Sequence, residues 1–137
     1  MVAYIDGGSR GNPGPAGYGV RIEDASGNLV EEVHGSLGVA TNNVAEYHGL
    51  LAALRWALDH GAGPLLIRSD SELLVKQMLG VYRVRNPGLQ PLHREACALA
   101  RAIGRVRFEH VRRERNTEAD RLANEAMDEA AGKATRR

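Results

Sequence analysis

An apolar run closed by an aspartate constrains this chain more than any other feature. Val2-Ala3-Tyr4-Ile5 has the length and composition of a buried strand, and Asp6 ends it. A glycine-rich stretch follows, Gly7-Gly8-Ser9-Arg10-Gly11-Asn12-Pro13-Gly14-Pro15-Ala16-Gly17. A carboxylate at the end of an interior strand has no helix to cap and is costly to bury unpaired. Three more acids stand where elements are expected to begin or end. Glu46 lies in the first turn after Thr41-Asn42-Asn43, Asp70 follows the apolar strand Pro64-Leu65-Leu66-Ile67, and Asp120 opens the last amphipathic helix. Acids delivered to element ends can converge on one sheet edge, where they repel one another unless a cation neutralises them.

The pattern between these acids predicts the fold class. Strands are expected over 2–6, 18–22 and 29–33, with Ser26-Gly27-Asn28 turning the hairpin. A helix over 44–60 presents Tyr47, Leu51, Leu54 and Leu58 as one stripe and stops at Gly61-Ala62-Gly63-Pro64. A strand over 65–68 and a short helix over 71–79 follow, then Asn86-Pro87-Gly88 marks a loop before a helix over 89–103. Alternation over 106–111 predicts a strand with Val106, Phe108 and His110 on its core side. The last helix, over 117–130, turns Ala119, Leu122, Ala123, Ala126 and Met127 inward. Three strands, helix, strand, two helices, strand, helix is an α/β order that suggests a mixed sheet: an antiparallel meander continued by parallel strands, with helices on its faces.

With 137 residues the chain is expected to hold one domain over 1–131, with 132–137 as a flexible tail or linker stub. No window approaches the apolar length of a membrane span, and the N-terminus lacks a signal-peptide pattern. The single cysteine, Cys97, cannot form an internal disulfide, so the cytoplasm is the expected compartment and Cys97 is expected to be a small buried apolar residue. Net charge is only +1, but Arg101, Arg105, Arg107, Arg112, Arg113 and Arg115 crowd one stretch against Glu109 and Glu114. That stripe can neutralise phosphates or simply form a solvated face.

Singly, three of the acids have a structural explanation. Asn43 with Glu46, and Thr117 with Asp120, resemble capping boxes, and Asp70 between Ser69 and Ser71 suits a helix start. Jointly the four carboxylates point to hard divalent cations. Mg²⁺ binds oxygen and is usually held by one or two carboxylates with water and substrate phosphate. Two such ions about 3.5–4 Å apart stabilise the attacking and leaving oxygens of an in-line phosphoryl displacement. Zinc prefers softer ligands, and the histidines show no ligand spacing. The glycines allow close backbone approach and an anion nest, without the Gly-Lys-Ser/Thr of a P-loop. Asn12, Asn42 and Asn43 can offer amides to sugar hydroxyls, and are also ordinary loop and cap residues.

These residues together resemble a type 1 ribonuclease H over nearly the whole chain, from Val2 to about Ala130. The motifs that carry the likeness are Tyr4-Ile5-Asp6-Gly7-Gly8-Ser9 with Gly11-Asn12-Pro13-Gly14-Pro15, Thr41-Asn42-Asn43-Val44-Ala45-Glu46, Ser69-Asp70-Ser71, and Asn116-Thr117-Glu118-Ala119-Asp120-Arg121-Leu122-Ala123. The resemblance implies a five-stranded mixed sheet flanked by helices. It implies cleavage of the RNA strand of RNA/DNA hybrids, dependent on Mg²⁺ or Mn²⁺, leaving 5′-phosphate and 3′-hydroxyl ends. By matching position, Asp6, Glu46, Asp70 and Asp120 would hold two ions per site, with Asp6 and Asp70 touching both and Glu46 also holding the RNA strand. Gly7, Gly8, Ser9, Asn12 and Asn42 would meet RNA 2′-hydroxyls, and Thr41 and Asn43 the nucleic-acid backbone or bases. The 2′-hydroxyl is what separates RNA from DNA at a site. A monomer acting away from membranes is expected.

Three features depart from the family's best-known bacterial members. The loop before the last helix, Arg112-Arg113-Glu114-Arg115-Asn116, lacks the histidine associated there with product release, leaving Arg113, Glu114 or Arg115 to serve. The segment over 80–89 is short where those members carry a Trp- and Lys-rich protrusion, and offers Tyr82, Arg83 and Arg85. Glu72 stands where a substrate-contacting glutamine is often found, and can equally box Ser69 as a helix cap. A DNA nuclease or resolvase of the same superfamily, or a hybrid-binding module with a vestigial site, are the competing readings. The sugar-directed Asn and Gly residues oppose the first, and the presence of all four acids opposes the second.

Overall fold

In the computed structural model, residues 1–135 are described, and they build one five-stranded sheet in the order β3-β2-β1-β4-β5. Strands β1 (Val2–Ser9), β2 (Gly14–Glu23) and β3 (Leu29–Ala40) form an antiparallel meander. Strands β4 (Leu65–Ser69) and β5 (Val106–His110) continue it in parallel from β1. The helices are α1 (Asn42–Asp59), α2 (Glu72–Met78), α3 (Gln90–Ile103) and α4 (Thr117–Thr135), with a 3₁₀ turn at Arg113–Arg115. This is the mixed α/β sheet that the element order predicts. Among the described residues, no helix is long and apolar enough to cross a membrane.

Period-two alternation puts Ala3 and Ile5 of β1, and Leu65 and Ile67 of β4, into one core with Tyr47, Leu50, Leu51 and Leu54 of α1. Helix α1 lies between the sheet and α3, so apolar residues occupy more than one of its sides. Leu58, placed on the inner stripe by spacing, is 40% exposed, one residue before the helix ends. On the other face of the sheet α4 packs against β1, β2 and β3. Its inner stripe is the expected one, with Ala119, Leu122, Ala123, Ala126 and Met127 all buried.

Two glycines allow that contact. A Cβ on Gly17 would stand 2.5 Å from the Ala126 Cβ, and one on Gly19 would stand 2.5 Å from the Ala119 carbonyl oxygen. The glycine-rich stretch is therefore mostly sheet. β1 continues through Ser9, pairs with β2 as far as Ala16, and leaves only residues 10–13 as a loop, where Gly11 has φ 80°. Close helix packing, more than an open anion nest, explains its composition.

Other boundaries also shift. β3 reaches Ala40, because the long β2 gives it a partner as far as Gly14. α4 runs on to Thr135, past the boundary expected at 131, while Arg136 and Arg137 of the expected tail lie outside the described residues. His110, assigned to the core by alternation, is exposed, since it is the last residue of an edge strand. Cys97 is half-buried, with Sγ 3.6 Å from His93 Nε2.

Candidate active site

The parallel pairing of β1 with β4 ends at Ile5 opposite Ser69. The next residue on each strand is an acid, Asp6 and Asp70, at the carboxyl edge where open α/β sheets place ligands. Gly7 brings the third acid close: a Cβ there would meet the Ala45 carbonyl carbon at 2.4 Å and the Glu46 nitrogen at 2.5 Å. Only glycine lets α1 approach the strand this tightly, so the Glu46 backbone sits against Gly7 and its carboxyl feels the charge of Asp70. The fourth acid is positioned by Asn116, which is 1% exposed and donates through Nδ2 to the Ile5 carbonyl at 2.8 Å. That bond ties the start of α4 to the strand next to Asp6, and the Asp120 N–H donates to the Asn116 carbonyl at 3.0 Å.

The four acids share a cleft of about 480 Å³, together with Gly7, Gly8, Ser9, Arg10, Asn42, Asn43, Arg113, Asn124 and Met127. All four are half-buried. Burial first, then the charge of Asp70 and a hydrogen bond with Asp120, push Asp6 up to about 8. Two carboxyls sharing a hydrogen bond must hold a proton between them. Burial also pushes Glu46 up to about 7, with the Asp70 charge adding to it and the Ser71 hydroxyl opposing it.

None of the three acids with a capping explanation caps its helix. Thr41 caps α1, accepting from the Val44 N–H, and Ser71 caps α2, accepting from the Leu74 N–H. Glu46 lies a turn inside α1, Asp70 precedes the Ser71 cap, and the Asp120 carboxyl shares its hydrogen bond with Asp6 while its backbone N–H donates to the Asn116 carbonyl.

The opposite wall is a small amide network. Asn42 Oδ1 accepts from the Ser9 N–H at 2.8 Å and from the Ser9 hydroxyl at 3.2 Å, while the Asn42 N–H donates to Asn12 Oδ1 at 3.0 Å. Asn12 therefore stands behind Asn42 rather than in the cleft. Thr41, Glu72, Tyr82, Glu114 and Arg115 also lie outside the cleft lining. Glu72 pairs with Lys76 at 3.2 Å and does not box Ser69, whose hydroxyl accepts from the Ser71 N–H. Tyr82 is exposed on a separate surface hollow with Gln77 and His93, and the Lys76 ammonium lies 5.1 Å from its ring centroid. Of the three loop candidates before α4, Arg113 alone lines the acid cleft.

Arg10 and Asn124, not singled out in the sequence, and Met127, expected only as a core residue of the last helix, also line the cleft. Arg10 pairs with Asp128 at 2.9 Å and donates to Asn124 Oδ1 at 3.1 Å, closing one rim against α4. The signal available was helical spacing: Asp120, Asn124 and Met127 fall at i, i+4 and i+7 on one face.

Oxygen-only donors suit a hard divalent cation. Among the described residues, no group of three or more His, Cys, Asp or Glu side chains stands placed to hold an ion as it is.

The chain matches a family model described as reverse transcriptase-like over residues 4–126. It is 51% identical over 132 residues to a bifunctional protein of Mycobacterium tuberculosis, covering 96% of this chain and 36% of that protein. The solved N-terminal RNase H domain of that protein, fused to maltose binding protein, superposes with a TM-score of 0.94 at 50% identity over 98% of this chain and 97% of that one. Ribonuclease HI of Halobacterium salinarum is 43% identical over 128 residues, covering 93% of this chain and 64% of that protein. LC11-RNase H1, solved in complex with an RNA/DNA hybrid, superposes with a TM-score of 0.89 at 42% identity, over 95% of this chain and 98% of that one. The chain thus spans about a third of the mycobacterial protein's length and less than two thirds of the halobacterial one. A family model matched over most of the sequence, and RNase H1 domains that superpose on it nearly end to end, show that the chain belongs to the ribonuclease H family.

Proposed function

We propose that this domain is a metal-dependent endoribonuclease that hydrolyses the RNA strand of RNA/DNA hybrids and leaves 5′-phosphate and 3′-hydroxyl ends. The observation that carries this reading is the convergence of Asp6, Glu46, Asp70 and Asp120 on one cleft. The solved hybrid complex of LC11-RNase H1, at 42% identity, supports the substrate.

A pair of Mg²⁺ ions, or Mn²⁺ in their place, held by these acids would supply the positive charge that activates the attacking water and stabilises the leaving oxygen. The remaining roles belong to the chain. Asp6 and Glu46, both raised toward neutrality by burial, give up their protons when cations enter. Glu46 stands one helical turn beyond Asn42, so one face of α1 reaches both the acids and the sugar-facing wall. Gly7, Gly8, Ser9 and Asn42 present backbone and amide groups to the RNA 2′-hydroxyls and Asn43 meets the nucleic-acid backbone or bases, with Asn12 accepting from the Asn42 N–H and Thr41 capping α1. Arg113 takes the part of the missing loop histidine in releasing product. Tyr82 and Glu72 are left for contacts with the flank of the duplex. A cytoplasmic, monomeric enzyme completes the reading.

The test is cleavage of a labelled RNA/DNA hybrid with Mg²⁺, beside chelator and matched DNA and RNA duplexes. Metal-dependent cutting of only the hybrid's RNA strand is expected. Cutting of the DNA duplex instead would assign the cleft to a DNA nuclease, and no cutting with Mg²⁺ or Mn²⁺ by folded protein would leave a binding module.

A further inference from the structure

A second concavity, of about 580 Å³, opens on the face of β1, β4 and β5 that points away from α1. Its floor is a cross-strand row: Tyr4 stands opposite Arg68, and Arg68 opposite Glu109. Arg68 donates through Nε to Glu109 at 2.7 Å and through Nη1 to the Tyr4 hydroxyl at 2.7 Å, with its guanidinium 5.5 Å from the Tyr4 ring centroid. Arg112 and Arg115 form the wall.

The donor balance of this pocket is one-sided. Its single carboxylate, Glu109, is engaged by Arg68. The Tyr4 oxygen accepts from Arg68, and its own proton has no acceptor among the described residues. The guanidiniums of Arg112 and Arg115 have no ion pair or side-chain hydrogen bond among the described residues. Planar guanidiniums and a phenol proton facing one hollow make a recognition set for an oxyanion, with fork geometry that matches phosphate. The volume exceeds what a lone phosphate needs and lies in the range of nucleotide-sized ligand sites.

We infer that this back-face concavity is an anion site, separate from the acid cleft, that takes the phosphate of a nucleotide unit through Arg68, Arg112, Arg115 and Tyr4. The phosphate is either the terminal group of a short strand or an internal phosphodiester, since both offer the same oxygens. The two sites share one wall, because the 3₁₀ turn sends Arg113 into the acid cleft and Arg115 into this one. A phosphate held on the back face therefore braces the turn that closes the front. The inference does not depend on the proposed cleavage activity.

The experiment is an NMR titration in chelator, where the metal-free acid cleft repels anions. The probes are inorganic pyrophosphate, a 5′-phosphorylated DNA tetranucleotide and the same tetranucleotide without the phosphate. Saturable shifts centred on Tyr4 and residues 111–115 are expected. The Arg112→Gln/Arg115→Gln variant should bind about tenfold more weakly at unchanged Tm, the loss expected for charge-assisted hydrogen bonds. Tyr4→Phe, which keeps the ring and removes the phenol donor, should weaken binding about threefold to tenfold and serves if the double variant is unstable. Dependence on the 5′-phosphate identifies a terminal group, and equal binding of both oligonucleotides identifies phosphodiesters; either supports the site. Non-saturating shifts spread over the surface, or unchanged affinity in both variants, would overturn it.

Discussion

Asp120 and Arg121 are neighbours on α4, yet they serve two regions built on opposite electrostatic plans. Asp120 enters the cleft with Asp6, Glu46 and Asp70, where like charges crowd and Asp6 is driven to about 8. Arg121 turns toward a mixed network, pairing with Glu32 at 2.9 Å, Glu118 at 3.1 Å and Glu125 at 2.8 Å. Arg21 extends that network to Glu23 at 2.8 Å and Glu32 at 3.3 Å, tying β2, β3 and α4 together. Charges of both signs satisfy one another in the second region and require no ligand. In the first they do not, and the fold tolerates the strain only by keeping protons on acids that a cation would displace. Acids that pair with no cation among the described residues mark function, whereas an interleaved cluster marks structure.

The sharpest way to break this contrast is Asp70→Asn. Removing that charge should lower hybrid cleavage by about a thousandfold or more. The metal-free Tm should stay level or rise, because a repelling charge has gone. Cleavage near the wild-type rate, followed in a gel assay, would defeat the assignment of Asp70.

Next in size is Gly7→Ala. Its Cβ would meet backbone at 2.4 Å, so α1 must move away from Asp6. The expected cost is about 2–3 kcal/mol in denaturant unfolding, with loss of cleavage as Glu46 is displaced. Full stability and activity would show that the close contact is dispensable.

The pH dependence of metal-free stability sharpens the comparison further. Asp6 and Glu46 have folded values of about 8 and about 7, raised above ordinary values of 3.8 and 4.5. Raised carboxyls favour the folded state while protonated, so their contribution is full below the ordinary values. It is lost as pH rises through about 7 and 8. Metal-free Tm should therefore fall between about pH 5.5 and 8.5, more steeply in the wild type than in Asp6→Asn. Mg²⁺ should restore more Tm at the upper end, where fewer protons must leave. A Tm that climbs over this range in the wild type would contradict the assignment.

The smallest effect belongs to the mixed network. Arg121 is 45% exposed, so Arg121→Ala should lower Tm only slightly, less at high salt, with cleavage unchanged.

The acids were legible in the sequence because each closes or opens a periodic segment, and the Asp6 and Asp70 placement follows from two apolar strands ending side by side. What sequence spacing could not supply was tertiary. Gly17 reads as a loop glycine and Gly19 as an ordinary strand residue, and only the approach of α4 shows both to be packing positions. Capping boxes fitted Glu46 and Asp120 by interval, but Thr41 begins α1 one residue before Asn42 and leaves Glu46 inside it. Arg10 reaches Asn124 from far away in sequence, so no local pattern announces Arg10, whereas Asn124 follows from its helical spacing to Asp120. Alternation placed His110 inside because it does not register that a strand is at a sheet edge.

The measurement that bears most directly on the central claim is a crystal of the protein with a non-cleavable RNA/DNA hybrid and Mn²⁺, read by anomalous scattering. Two peaks about 3.5–4 Å apart among Asp6, Glu46, Asp70 and Asp120 are the predicted result. A hybrid seated in the cleft with no peak there, or with Mn²⁺ bound only elsewhere, would contradict it.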